Sequence, residues 1–175
     1  MKTRSVFRLA AVLLVLPALT GCGYALVGRG SNLPEDIREV YIRPLENRTQ
    51  RSSVEQELTR AIADEMVTRQ RFAVVGSLEG ADAELSGAVV GFGVTPVTFD
   101  TSGRATEYEI TITAQMAFKR VGKEEVIWSA ENYVFRETYE IDTSAADYFD
   151  REDEALEEAA ERFAETMVSD LLEGF

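Results

Sequence analysis

The stretch that decides the fold is "TEYEITITAQMAFK", Thr106 to Lys119. From Tyr108 to Phe118 every second side chain is apolar, and the alternate residues from Glu107 to Gln115 are acidic, hydroxyl-bearing or amide-bearing. Because successive side chains of a strand point to opposite faces, this alternation predicts a half-buried strand. The core-facing set is Tyr108, Ile110, Ile112, Ala114, Met116 and Phe118.

Two further β-rich runs flank this strand, over residues 83–100 and 125–138. The turns between the runs contain glycine: "TSGR", Thr101 to Arg104, and "VGKE", Val121 to Glu124. Such turns between alternating runs predict antiparallel hairpins. The middle run could span ~40 Å at about 3.3 Å per residue. We therefore expect the hairpin at 101–104 to extend beyond the domain body.

Two segments predict amphipathic helices. Residues 52–70 start with two overlapping capping boxes, Ser52 with Glu55 and Ser53 with Gln56, and lie between short strands near 40–45 and 71–76. Pro44 predicts an edge position or a strand end. The apolar stripe of this first helix is Val54, Leu58, Ala61, Ile62 and Met66. A second helix is predicted near 145–172, with the apolar stripe Leu156, Ala159, Ala160, Phe163, Met167 and Leu171.

The element order is thus β-α-β-β-β-β-α. It predicts an α+β two-layer sandwich, in which a four- to five-stranded, largely antiparallel sheet carries both helices on one face. Residues 37–175 would form this single domain.

The N-terminus predicts a lipoprotein signal over residues 1–21, with basic residues followed by an apolar run too short to span a bilayer. "LTGC", Leu19 to Cys22, is similar to the bacterial lipobox, after which the cysteine is acylated. A secretory signal with a chance cysteine is the alternative. Acylated Cys22 would begin a tether over residues 22–36, and Gly23 in place of aspartate favours the outer membrane.

Composition excludes several classes of function. Removal of residues 1–21, which hold three basic and no acidic residues, changes the net charge from −13 to −16, which argues against nucleic acid. The chain has no histidine, so no histidine-based catalytic triad is available, and we expect no enzyme and no cofactor. "DYFDREDE", Asp147 to Glu154, lacks the calcium-loop glycine and predicts a solvated helix start instead of a metal site.

Two sets of residues have a structural explanation. Gly87, Gly91 and Gly93 predict strand bends, bulges or close backbone approach, because no helix follows them as in a phosphate loop. The aromatic residues Trp128, Tyr133 and Phe135 predict packing of the core or sheet face in preference to a ligand cage.

The order of these features resembles the LptE family of outer-membrane lipopolysaccharide-assembly lipoproteins. The similarity covers nearly the whole mature chain and rests on motifs in sequence order: "CGY" at 22–24, "LPEDIREVYIRPLENRT" at 33–49, "VEQELTRAI" at 54–62, "RFAVV" at 71–75, "ADAELSGAVVGF" at 81–92 and "VTFDTSGRATEYEITI" at 97–112.

This resemblance implies an outer-membrane protein that plugs the lumen of a large β-barrel of the LptD type. The protein would help that barrel assemble and deliver lipopolysaccharide to the outer leaflet. The resemblance also implies lipopolysaccharide contact near the hairpin tip, so Arg104 is the candidate ligand-binding residue and Arg151 the second. The alternatives are a periplasm-facing scaffold or binding module of another envelope complex and, as a third, an envelope hydrolase.

Overall fold

The structure, a computed structural model, describes residues 33–141 and 148–174, and in the second stretch the side chains from Glu152 onward. The predicted signal, Cys22 and most of the predicted tether lie outside these residues. Within them, six strands and two helices follow one another: β1 Glu39–Ile42, β2 Glu46–Asn47, α1 Val54–Thr68, β3 Ala73–Val75, β4 Ala83–Phe99, β5 Ala105–Arg120, β6 Val126–Glu140 and α2 Tyr148–Glu173.

The strands form one sheet in the order β3-β1-β4-β5-β6, and β2 pairs with β4 beyond the end of β1. The long strands β4, β5 and β6 are antiparallel. The short strands β1, β2 and β3 pair in parallel. The predicted α+β order is confirmed, with the two-residue β2 as an addition, and β1 ends two residues before Pro44 as expected.

The predicted faces are also confirmed. Ile110, Ile112, Ala114, Met116 and Phe118 of β5 are buried, while Tyr108 is half-buried. They join one core with the apolar stripes of both helices. Every residue of the two predicted stripes is buried. The helices therefore cover one face of the sheet and leave the other open.

Two of the three glycines lie where the backbone needs them. A Cβ at Gly87 would collide with the carbonyl oxygen of Gln115 and the sulfur of Met116. The β4–β5 register shifts between Val89 and Gly91, which marks a bulge. Gly87 therefore permits close approach, and Gly91 borders a bulge, as the sequence predicted.

The predicted capping boxes are wrong. Ser53 is the N-cap residue of α1, but its φ is 66° and its side chain makes no capping hydrogen bond. A capping serine needs an extended backbone to reach the amides of the first turn. Glu55 is also engaged elsewhere, since its carboxylate accepts a hydrogen bond of 2.7 Å from the Asn47 side chain.

The packed part of the chain includes residues of the predicted tether. Leu33 is buried and belongs to the core together with Ile37. The Asp36 carboxylate accepts a hydrogen bond of 2.6 Å from Arg120. Contacts with the domain therefore include Leu33, which precedes residue 37, the predicted start of the domain.

Candidate functional site

The end of the sheet formed by residues 95–107, here called the distal hairpin, carries the candidate Arg104. Toward this end of the sheet, the last buried side chain of β5 is Ile110, and the last buried side chain of β4 is Val89. Residues 95–99 of β4 are all exposed. The distal hairpin therefore extends beyond the core, as the strand lengths predicted.

The Asp100 carboxylate organises the turn. It accepts hydrogen bonds from the Ser102 hydroxyl at 2.6 Å, the Ser102 N–H at 2.8 Å and the Arg104 N–H at 3.0 Å. Gly103 completes the turn with a φ of 81°. The hydrogen bonds from Ser102 and Arg104 hold the pKa of Asp100 well below its ordinary range. Asp100 is therefore ionised beside Arg104 at neutral pH.

Arg104 is partly engaged and partly available. Its Nε lies 3.3 Å from Asp100 Oδ2 and 3.2 Å from the Ser102 hydroxyl. The side chain is 65% exposed. Within the described residues, its two terminal nitrogens have no protein partner. The fork of the guanidinium can thus reach an anionic group of a partner, in competition with Asp100.

Apolar side chains accompany this charge. Val97 is 46% exposed and Phe99 is 57% exposed. Nearby, the Thr98 hydroxyl donates a hydrogen bond of 2.6 Å to Glu107. The distal hairpin is therefore amphiphilic, which fits a docking element better than a solvated turn.

The other candidate residues are not brought to this hairpin by any described contact. Arg151 belongs to α2, but its side chain lies outside the described residues, as does all of Cys22. Both remain predictions.

Sequence reasoning missed a groove on the open face of the sheet. It has a volume of about 950 Å³. Three of its lining residues are basic: Arg43, Arg48 and Lys119. Arg43 pairs with Glu84 at 2.6 Å and Arg48 with Glu46 at 2.8 Å, whereas Lys119 makes no ion pair with a described residue. Alternation in β5 places Lys119 on this face, but the position of Arg43 and Arg48 depends on parallel pairing that alternation does not reveal.

The negative charge is concentrated in the helices. The α2 sequence has ten acidic and two basic residues, and the α1 sequence has four acidic residues and one basic residue. In contrast, β4 and β5 together contain Glu84, Glu107 and Glu109 against Lys119 and Arg120. A second concavity, of about 750 Å³ between the N-terminal ends of the helices, is accordingly acidic, with Arg51 bound to Glu152 and Asp153. An anionic partner would meet less repulsion at the sheet than at the helices.

The described residues contain no group of three or more acidic, histidine or cysteine side chains arranged for a metal ion. No described helix is long and apolar enough to cross a membrane.

Comparison with protein-family models gives one decisive match. The model of the LptE lipopolysaccharide-assembly family matches residues 37–171. The chain belongs to the LptE family. This membership assigns it to lipopolysaccharide assembly at the outer membrane, as a lipoprotein of a non-catalytic family associated with the transport machinery. A search of curated proteins finds no match.

Solved structures share the fold of this LptE-family protein at low identity. The PelC dodecamer subunit from Paraburkholderia phytofirmans is 16% identical with a TM-score of 0.52, over 83% of this chain and 94% of that one. A putative lipoprotein from Caulobacter crescentus is 16% identical with a TM-score of 0.52, over 76% and 87%. The hypothetical protein CT253 from Chlamydia trachomatis is 10% identical with a TM-score of 0.53, over 79% and 97%. At these identities the likeness concerns the fold alone.

Proposed function

We propose that this protein plugs a large outer-membrane β-barrel of the LptD type, helps that barrel to assemble and aids delivery of lipopolysaccharide to the outer leaflet. The observation that carries the proposal is the family match over residues 37–171. Acylation of Cys22 after removal of residues 1–21 would anchor the protein at the membrane, since several acyl chains hold a protein firmly.

The surface of the domain supports this role. The distal hairpin offers exposed Val97 and Phe99 beside polar groups, and the strands β4 and β5 that form it are nearly neutral. The interior of a large barrel is polar and accommodates a charged plug. We infer that the distal hairpin enters the barrel and that the acidic helices lie where repulsion from lipopolysaccharide phosphates is smaller.

Direct contact with lipopolysaccharide is a further part of the proposal. Arg104 has free terminal nitrogens for a phosphate group, and Arg151 is the second candidate. A guanidinium can bind phosphate in bidentate fashion, and the apolar neighbours Val97 and Phe99 suit an amphiphilic ligand.

Purification through detergent tests the plug. A tagged, acylated chain should retain a barrel of much larger mass, and Phe99→Glu should reduce the recovered barrel. Val67→Glu is the matched control, because Val67 in α1 is also an apolar residue with 57% exposure. A protein that is purified without any barrel would favour the scaffold alternative. If both substitutions reduced the recovered barrel equally, the distal hairpin would not be the element that contacts the barrel.

A further inference from the structure

The distal half of the sheet has two strand edges that no described strand covers. One is β4 beyond Val89, where the partnership with β2 ends. The other is the outer side of β6, the last strand in the sheet order. Uncovered edges present backbone N–H and C=O groups that can pair with another strand.

The edge of β4 is protected against such pairing. Pro96 removes one backbone donor, and the β4–β5 register shifts on both sides of Thr98. Proline and bulges of this kind are the usual protection of an exposed edge.

The edge of β6 lacks this protection. From Tyr133 to Glu140 it keeps one register with β5, and the register shifts of β6 lie before this segment. The segment "YVFRETYE" contains no proline or glycine, and its charged residues are Arg136, Glu137 and Glu140. We call this segment the free edge. It is an uninterrupted template eight residues long.

The direction of its amides follows from one hydrogen bond. The Ile141 N–H donates to the Thr106 carbonyl at 2.9 Å, one position beyond the Glu107–Glu140 pair. Because bonded and non-bonded pairs alternate along antiparallel strands, the backbone groups of every second residue point away from β5. These residues are Val134, Arg136, Thr138 and Glu140, and their N–H groups have no hydrogen-bond partner within the described part of the chain.

We propose that the free edge pairs with the free edge of a second copy of this chain, antiparallel and about a twofold axis at Glu137. In this register Val134 faces Glu140 of the second copy, and Arg136 faces Thr138. All four outward residues of each strand then exchange backbone hydrogen bonds. The pairing is independent of the barrel proposal and concerns the protein when it is not bound to a barrel.

The side chains complement one another in this register. Arg136 pairs with Glu109 of its own chain at 3.7 Å. In the dimer it also lies diagonal to Glu140 of the second copy, within reach of a long side chain, and diagonal to Arg136 of that copy. On the helix-covered face, Phe135 lies opposite Tyr139 of the second copy, and aromatic cross-strand pairs are favourable. The two Glu137 side chains meet at the axis, but each is already bound by Arg162 of its own chain at 3.3 Å.

The geometry also limits the assembly. Twofold pairing covers both free edges, so no third copy can add to them. An interface made by strand edges alone is smaller than the ~1,200 Å² of a standard stable interface, and both chains are strongly acidic. A weak, reversible dimer is therefore expected.

Sedimentation of the mature chain with Cys22→Ser tests this dimer without the lipid. Thr138→Pro removes an outward N–H without loss of a described hydrogen bond and should leave only monomer. Thr138→Val keeps that N–H and should retain the dimer. Circular dichroism confirms that each variant is folded.

Charge exchange provides a second test that preserves the backbone. Arg136→Glu and Glu140→Arg should each weaken association roughly tenfold, and the double variant should restore it. The proposal would be overturned if the protein were monomeric at every concentration. It would also be overturned if neither Thr138→Pro nor the charge exchange weakened the dimer.

The acylated full chain can be tested in the cell envelope. At the axis, a cysteine at position 137 would face the same cysteine of the second copy. Their Cα atoms would lie about 4.5 Å apart, a distance that suits a disulfide. Glu137→Cys should therefore give a disulfide-linked dimer, whereas Val97→Cys at the distal hairpin should not. Dimer from Val97→Cys alone would contradict the twofold pairing.

Discussion

At the scale of single residues, Ile112 joins the sheet to the helices. Its side chain is fully buried in the same core as Ile62 and Phe163. Ile112→Ala should lower the free energy of unfolding by about 2–5 kcal/mol, because it leaves a cavity among fixed neighbours. Thr111→Ala, on the open face of the same strand, should cost far less. Urea denaturation of both variants measures the difference, and a loss below about 0.5 kcal/mol for Ile112→Ala would mean that the faces are reversed.

Asp82 joins the start of β1 to the start of β4. Its carboxylate accepts hydrogen bonds from the N–H groups of Arg38 at 2.8 Å and Glu39 at 2.9 Å. These backbone hydrogen bonds, with Glu39 the larger contributor, hold the pKa of Asp82 below its ordinary value of 3.8.

A pH dependence of stability follows from this lowered pKa. A group with a depressed folded pKa stabilises the fold above its unfolded pKa of 3.8 and loses that effect as the pH falls through the folded value. Asp82→Ala should therefore be less stable than the unchanged protein at pH 7, and the gap should narrow below pH 3.8. Denaturation of both proteins from pH 7 downward checks this, and a gap that widens with acid would refute the account.

Arg104 should affect ligand binding more than stability. Arg104→Glu should weaken lipopolysaccharide binding and change the free energy of unfolding by less than about 0.5 kcal/mol, as for most surface residues. Arg104→Lys should also weaken binding, since lysine cannot bind phosphate in bidentate fashion. Lys119→Glu is the comparison: if it alone reduces binding of purified lipopolysaccharide, the ligand lies in the groove and Arg104 has no part in it.

At the scale of elements, α1 ends in a backbone conformation that its sequence does not favour. Gln70, two residues after the last helical residue, has a φ of 54°. Its N–H donates to the Val67 carbonyl at 3.1 Å, so the conformation is held by the helix end. Glycine adopts this left-handed conformation without the cost that a Cβ imposes.

Gln70→Gly should therefore stabilise the protein by about 1 kcal/mol. Gln56→Gly, the same exchange inside α1, should destabilise it, because glycine is a poor helix former. Thermal unfolding of both variants decides the matter, and a lower melting temperature for Gln70→Gly would show that the glutamine side chain has a role of its own.

The long elements were predictable, because each repeats its pattern of apolar residues over its whole length. Alternation from Tyr108 to Phe118 and the helical stripes from Val54 and Leu156 both report burial directly. Parallel pairing of β1 with β3 and β4 was not predictable, since it depends on contacts between distant segments. The failed capping boxes show the same limit, because Asn47 binds Glu55 only in the folded chain.

The candidate site was predictable to a similar extent. Strand length and Gly103 indicated a projecting hairpin, and the sequence placed Arg104 in it. The competing contact with Asp100 was not predicted, and neither was the groove that Arg43 and Arg48 line on the open face. Both depend on side-chain positions that alternation alone does not determine.

At the scale of the whole molecule, the layered fold separates charge from contact surface. Both helices are strongly acidic, whereas β4 and β5 are nearly neutral and carry the exposed Val97 and Phe99 at one end. Net charge alone therefore gives an incomplete account of which partners the domain can meet. The sheet end is the surface that we expect inside the barrel.

Photo-crosslinking in living cells tests this central claim most directly. A photoreactive amino acid would replace Phe99 in the distal hairpin or, as the control, the equally exposed Val67 of α1. The account predicts a crosslink from position 99 to an outer-membrane β-barrel and a much weaker one from position 67. A crosslink to the barrel from position 67 alone, or no crosslink to any barrel from position 99, would contradict it.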